Sequence, residues 1–186
     1  WGSCFVDDDI VSQRLVPYVC TIVSDDNESP LVRGTAIGVV TTMLAMVRSF
    51  ALTDSQIFPE YLLPALRSAA EEGAPEFVQV AYASHIGSLA ETALRFLDIV
   101  HAKRPRGAQG EGEWQEGYDA ELAVLRDVFA SVASDMLSGP SGVVKRTLLA
   151  SLDRLCELLG RERSCNVLLP LIITVLNDRS DWELRL

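Results

Sequence analysis

Cations are in short supply in this 186-residue chain, where 16 Lys and Arg stand against 26 Asp and Glu for a formal net charge of −10. Holding a phosphate backbone takes clustered cations, so this balance argues against a nucleic-acid partner. Aromatic residues are also few, 7% of the chain, whereas 48% of it is hydrophobic with leucine and alanine plentiful. Such a composition suits helices packed on helices. Long apolar runs are missing. Gly34 to Val47, at 14 residues, is an uncharged run that no other exceeds, and it falls short of the ~20 needed to cross a bilayer. No secretory leader pattern is seen, so the expected setting is cytoplasmic, without membrane insertion.

Sites for chemistry are scarce as well. His85 and His101 are the only histidines, and neither has a cysteine or carboxylate at ligand spacing. His85 reads as a partly buried residue on a helix face. No nucleophile elbow, Walker sequence, glycine-rich phosphate loop or H-E-x-x-H pattern occurs. Glu71-Glu72 reads as a solvated turn. No catalytic residue, cofactor or metal is expected in this segment. The cysteines, Cys4, Cys20, Cys156 and Cys165, form no C-x-x-C pair and read as reduced thiols filling helix interfaces.

What the chain does have is clearest between Phe58 and Val100. The pattern predicts a helix starting on Pro59 with Leu62, Leu63, Leu66 and Ala70 on one face, then a turn through Glu71–Pro75. A longer helix follows. In it Val78, Tyr82, Ile86, Leu89, Ala93, Leu97 and Val100 step by three and four, beside a second apolar row of Ala81, Ala90 and Leu94. Only a thin stripe of Ser84, Ser88, Glu91, Arg95 and Asp98 stays polar. A helix this apolar must be covered on two sides.

The neighbours belong to a repeat. An acidic or polar residue, then six positions on an aliphatic one, then a basic or amide one recurs as Asp26/Val32/Arg33, Glu72/Val78/Gln79, Ser138/Val144/Lys145 and Asp178/Leu184/Arg185. The steps are 46, 66 and 40 residues, the long one holding the stretch Ala102–Gly117. Three of the four units also carry a proline, Pro17, Pro64 or Pro170, 14 or 15 residues before the aliphatic anchor. Paired helices recurring every 40 to 47 residues are the signature of HEAT and armadillo arrays. The expected fold is an all-α right-handed solenoid of antiparallel helix pairs at about 8–50, 57–101, 118–159 and 165–186, the last one partial. The whole of 1–186 forms one segment of a longer protein, with 102–117 as a flexible insertion.

Unit by unit, the first helix runs to about Ser24, with Ile10, Leu15, Tyr18 and Ile22 inward. Its partner spans Leu31–Phe50, with Val32, Ala36, Val39, Met43 and Val47 in helical steps. The β-branched stretch Ala36–Thr42 is strand-like in composition, but no turn interrupts the run. Gly34 and Gly38, each worth about 1 kcal/mol against the helix, lie on one face and admit a close neighbour. The third pair spans Tyr118 to about Leu137 and Val143 to Leu159; the fourth opens at Cys165–Leu176. An interior proline removes a backbone bond and clashes with the carbonyl four residues back, so a bend in each first helix is expected. Arg33 and Arg185 sit where a helix dipole disfavours cations, so each is expected to find a turn carboxylate.

Ile57–Leu66 (IFPEYLLPAL), Val80–Asp98, Tyr118–Asp127 and Leu176–Arg185 (LNDRSDWELR) together resemble the regulatory scaffold subunit of the class III phosphatidylinositol 3-kinase complex. That family combines a protein-kinase-like domain, a central HEAT region and a C-terminal WD-repeat propeller. The resemblance falls in the central region and implies a non-catalytic arm joining the flanking domains of the same chain. It also implies protein partners, the lipid kinase catalytic subunit and a Beclin-type coiled-coil subunit, on endosomal and autophagic membranes. The alternative is a phosphatase-scaffold-like or transport-receptor-like solenoid that binds peptides in its groove.

Overall fold

The computed structural model describes residues 7–49, 62–71, 73–103 and 111–177, with the side chains of 111–116 outside that description. Asp178, Leu184 and Arg185, together with Glu72, Cys4, Pro59 and 104–110, therefore lie outside the described residues.

Every described element is helical, and no strand occurs among the described residues. The order is α1 (Asp8–Ile10), α2 (Val16–Ser24), α3 (Pro30–Met46), α4 (Leu63–Ala70), α5 (Glu76–Lys103), α6 (Glu111–Ser138), α7 (Gly142–Ala150), α8 (Leu152–Arg163) and α9 (Leu169–Asn177). Two rows result. Helices α2, α4, α6 and α9 touch one another in sequence, and α3, α5 and the α7–α8 segment form the second row. This is an all-α helical solenoid. Its centre is α5, which packs on α3, α4, α6, α7 and α8. Accordingly Val78, Tyr82, Ile86, Leu89, Ala93, Leu97 and Val100 are all buried, as are Ala90 and Phe96 beside them. The strand-like stretch Ala36–Thr42 lies wholly within α3, because its residues pack between α2 and α5 rather than on a pleated surface.

Starts and stops follow local chemistry. Ser29 caps α3 by accepting from the Val32 amide at 3.3 Å, with Pro30 in the first turn where its missing donor is harmless. Ser141 caps α7 the same way, accepting from Val144 at 3.3 Å. The expected helix to Phe50 ends instead at Met46, with Val47 extended. The cause is tertiary: the Asp8 carboxylate captures the Arg48 and Ser49 amides at 3.1 and 3.0 Å.

The prolines coincide with widened helical turns. Between α1 and α2 lies a π turn, Val11–Leu15, in which the Val16 amide reaches back to the Val11 carbonyl. A second π turn, Ser164–Leu168, precedes α9, with the Leu169 amide on the Ser164 carbonyl. Leu62, just before Leu63-Pro64, is π-helical too. Pro17 and Pro170 thus each follow a widened turn in which the residue before the proline bonds five positions back, so the ordinary clash and lost bond do not arise.

That extra residue also corrects the face expected for the first helix. Ile10 and Tyr18 are exposed at 47% and 66%, Leu15 and Ile22 are only half-buried, and Val11, Val16, Val19, Cys20 and Val23 form the core. A five-residue step through the π turn keeps Val11 and Val16 on one side, which a constant helical step cannot do. In α3, of the residues expected in helical steps, Ala36 and Val47 are buried and Met43 is partly buried, but Val32 and Val39 are exposed, and Ile37, Val40 and Leu44 are fully buried instead. Cys165, expected at an interface, is exposed; Cys20 is buried and Cys156 half-buried.

Three boundaries differ as well. Residues expected in the 102–117 insertion are partly helical, since α5 runs through Lys103 and α6 begins at Glu111. The helix expected over 143–159 is broken at Ser151 (φ −110°, ψ 8°). Its hydroxyl donates to the Ala83 carbonyl of α5 at 2.9 Å, and a Cβ added to Gly87 would lie 2.9 Å from the Ser151 carbonyl oxygen. The break and the glycine together bring the α7–α8 backbone against α5. Finally, the spacer expected at 160–164 shrinks to Gly160, whose φ of 75° only glycine adopts without strain.

Candidate interaction surfaces

The repeat positions carry the strongest sequence signal. Val32, Val78 and Val144 occupy equivalent places, yet Val78 and Val144 are buried and Val32 is 43% exposed. The difference lies in neighbours. Val78 sits in a helix flanked by α3 on one side and α7 on the other, whereas among the described residues the second-helix row flanks α3 only through α5.

The residue after the anchor does a structural task in the first two units. Arg33 is buried at 3% exposure, and its Nε donates to the Val23 carbonyl at 2.9 Å. That carbonyl belongs to the last turn of α2, where a helix dipole favours a cation. The Arg33 Nη1 meets Asp26 Oδ1 at 2.8 Å, so the expected turn carboxylate is present, but a single bond replaces a two-bond grip. Gln79 plays the same part in the next unit, its Nε2 donating to the Glu71 carbonyl at the end of α4 at 2.8 Å. Lys145 is half-buried at the third. Each of the first two residues reaches from the start of a second helix to the end of the first, closing its hairpin.

Arginines outside the repeat pattern tie helix to helix, between units at Arg95 and within the third pair at Arg126 and Arg163. Arg95, on the polar stripe of α5, donates to the Leu44 and Ala45 carbonyls at the end of α3 at 2.7 and 3.1 Å. Arg126 of α6 donates to the Leu158 carbonyl, just before the Gly160 break, at 2.8 Å. Arg163 pairs with Asp127 of α6. The sequence marked Arg95 only as polar; a cation on the narrow stripe of an apolar helix was the available signal.

At the junction of α5 and α6, His101 Nε2 meets Glu121 Oε2 at 3.1 Å and Tyr118 donates to Asp98 Oδ1 at 2.8 Å. Burial first, and then the Asp98 bond, push the Tyr118 hydroxyl up to about 12. The two rings meet edge-on, centroids 5.0 Å apart. Burial also pushes the Cys20 thiol up to about 11, which keeps it protonated and unreactive. His85 packs against Gly38, and burial lowers its pKa. No group of three or more metal-binding side chains occurs among the described residues. None of their helices is long and apolar enough to cross a membrane.

Two kinds of surface remain. A cleft of about 430 Å³ opens between the α4–α5 and α6–α7 turns, lined by Arg67, Glu71, Gln79, Asp135 and Ser141 among others. Exposed apolar residues gather at the two ends of the described stack, Leu31, Val32, Val39 and Met46 on α3 and Leu169, Ile173 and Leu176 on α9.

The family model described as PIK3R4-like, middle domain, matches residues 2–186. The probable serine/threonine-protein kinase vps15 of Dictyostelium discoideum is 36% identical over 187 residues, covering 97% of this chain and 9% of that protein. The serine/threonine-protein kinase VPS15 of Arabidopsis thaliana is 34% identical over 201 residues, covering 98% of this chain and 13% of its own. The Saccharomyces cerevisiae protein of the same description is 27% identical over 175 residues. The chain thus spans only about a tenth of these relatives, in the stretch that the family model describes as the middle domain. The chain belongs to the PIK3R4-like middle-domain family, the one its sequence motifs resemble.

Proposed function

We propose that this chain is a non-catalytic scaffold segment of a class III phosphatidylinositol 3-kinase regulatory subunit. It joins flanking domains of its own protein and helps hold the lipid kinase and a Beclin-type coiled-coil subunit in one assembly for endosomal sorting and autophagy. The observation that carries this reading is the middle-domain match over residues 2–186. The geometry supports it: the polar and charged side chains described above close hairpins and tie units together, a use of chemistry suited to holding distance and angle. The relatives are named as kinases, and this reading puts that activity in the larger part of their length that the segment does not span.

The test is a full-length subunit from which residues 7–177 are excised and replaced by a flexible linker. It should still bind nucleotide through its kinase-like domain, yet fail to co-purify the lipid kinase and the coiled-coil subunit as one complex. A complex of unchanged composition and lipid kinase activity would overturn the reading. Turnover of nucleotide or phosphoinositide by this segment itself would overturn its non-catalytic part.

A further inference from the structure

The cleft between the α4–α5 and α6–α7 turns has an apolar floor and an acidic rim. Its volume is about 430 Å³, and the buried side chains of Val132 and Met136 from α6 and Val144 from α7 reach it. The charged residues on its lining are Glu71 and Asp135, set against Arg67. Ser141, also on the lining, holds a third carboxylate beside it by donating to Glu76 Oε1 at 2.5 Å. Neither Glu71 nor Asp135 has a salt bridge among the described residues, to Arg67 or to any other cation. Helices α4 and α6 both end here, at Ala70 and Ser138, so the negative ends of two helix dipoles add to the carboxylates. The field in the cleft favours a cation.

The repeat says which cation. Of the four residues that follow the aliphatic anchors, Arg33, Lys145 and Arg185 are charged and only Gln79 is neutral. Gln79 is also the one that lines the cleft. In the first unit the Arg33 guanidinium joins the end of the first helix to the turn, donating to the Val23 carbonyl at 2.9 Å and to Asp26 Oδ1 at 2.8 Å. Gln79 reaches the Glu71 carbonyl at 2.8 Å and brings no charge. The second turn thus keeps the helix end and the carboxylates but lacks the guanidinium. A bare metal ion is a poor substitute, since no group of three or more metal-binding side chains occurs among the described residues. An apolar floor beneath an acidic rim suits a long side chain with a methylene stem and a charged tip.

We propose that this cleft receives an arginine side chain presented by a partner protein, its guanidinium toward Glu71 and Asp135 and its stem along Val132, Met136 and Val144. Arginine fits better than lysine because its planar fork pairs with carboxylates through parallel hydrogen bonds. An arginine seated in a pocket is among the residues that carry most of an interface's binding energy. The inference does not depend on the phosphatidylinositol 3-kinase assignment.

The experiment uses the full-length protein, isotope-labelled at its methionine methyl groups, with the Met136 signal identified by its loss in Met136→Leu. The probe is the tripeptide acetyl-Gly-Arg-Gly-amide. It should shift the Met136 signal saturably, and its citrulline counterpart, of the same shape but uncharged, should bind about tenfold more weakly. Glu71→Gln and Asp135→Asn, both at exposed side chains, should each weaken arginine binding about three- to tenfold. Gln79→Arg, which restores the cation of the first unit from within, should abolish it. No saturable shift, equal binding of the citrulline peptide, or arginine binding retained in Gln79→Arg would overturn the proposal. So would tighter binding of the glutamate counterpart, which would make Arg67 the recognising group. If a variant does not fold, the arginine and citrulline peptides on the unaltered chain decide.

Discussion

Arg33 illustrates how a charge at an unfavourable position becomes a structural asset. Its ion pair faces an Asp26 side chain that is 90% exposed, so solvent screens that contact to ~0–1 kcal/mol. The buried bond to the Val23 carbonyl is the stronger part. Arg33→Ala should therefore cost about 1–3 kcal/mol in urea unfolding, and Asp26→Ala well under that. Equal losses for the two would show that the ion pair, not the carbonyl, holds the turn. The anchors divide the same way: Val78→Ala should cost about 2 kcal/mol, whereas Val32→Ala, at 43% exposure, should be near neutral in this chain. His85 adds a pH dependence. Burial lowers its folded pKa below the unfolded value, so the unfolded chain binds the proton more readily. Its contribution to stability is present above the ordinary histidine range and is lost as pH falls through that range towards the depressed value. His85→Phe should flatten this component of a pH–stability profile, and an unchanged acid slope would count against it.

At the scale of the element, the prolines make a sharp prediction. Were Pro17 strained as in an ordinary helix interior, replacing it by alanine would stabilise the chain by ~3 kcal/mol. With the Val11–Leu15 turn already widened, Pro17→Ala should change stability by less than about 1 kcal/mol, measured by denaturant midpoint. Gly87→Ala should behave differently, because its new methyl meets the Ser151 carbonyl rather than a mobile side chain, and a loss of about 1–3 kcal/mol is expected. These cases also show what can be read in advance. The buried rows of α5 were legible because 28 residues keep one uninterrupted helical step. The buried face of α2 was not, because a π turn shifts the phase and only the proline hints at it. The close approach at Gly34 and Gly38 was legible from their spacing. The break at Ser151 was not, since serine is ordinary in a helix and its reason lies in α5, 68 residues away. The carbonyl-directed arginines escaped for the same cause: their partners are backbone atoms of other helices.

For the molecule as a whole, stacking of this kind makes each unit answer mainly to its neighbours. Val19→Ala in α2 and Leu155→Ala in α8, both buried and two units apart, should have additive effects on stability to within about 0.5 kcal/mol. A larger coupling term would mean the rows transmit strain along their length. The π turns have a consequence for how such chains are compared. Each amounts to one residue inserted into a helix without lengthening its path through the fold. Aligned by simple periodicity to straight-helix repeats, the row of first helices slips by one position at every proline, while the row of second helices stays in register. Two clocks thus run along one chain, and a repeat detector tuned to either alone will undercount the units.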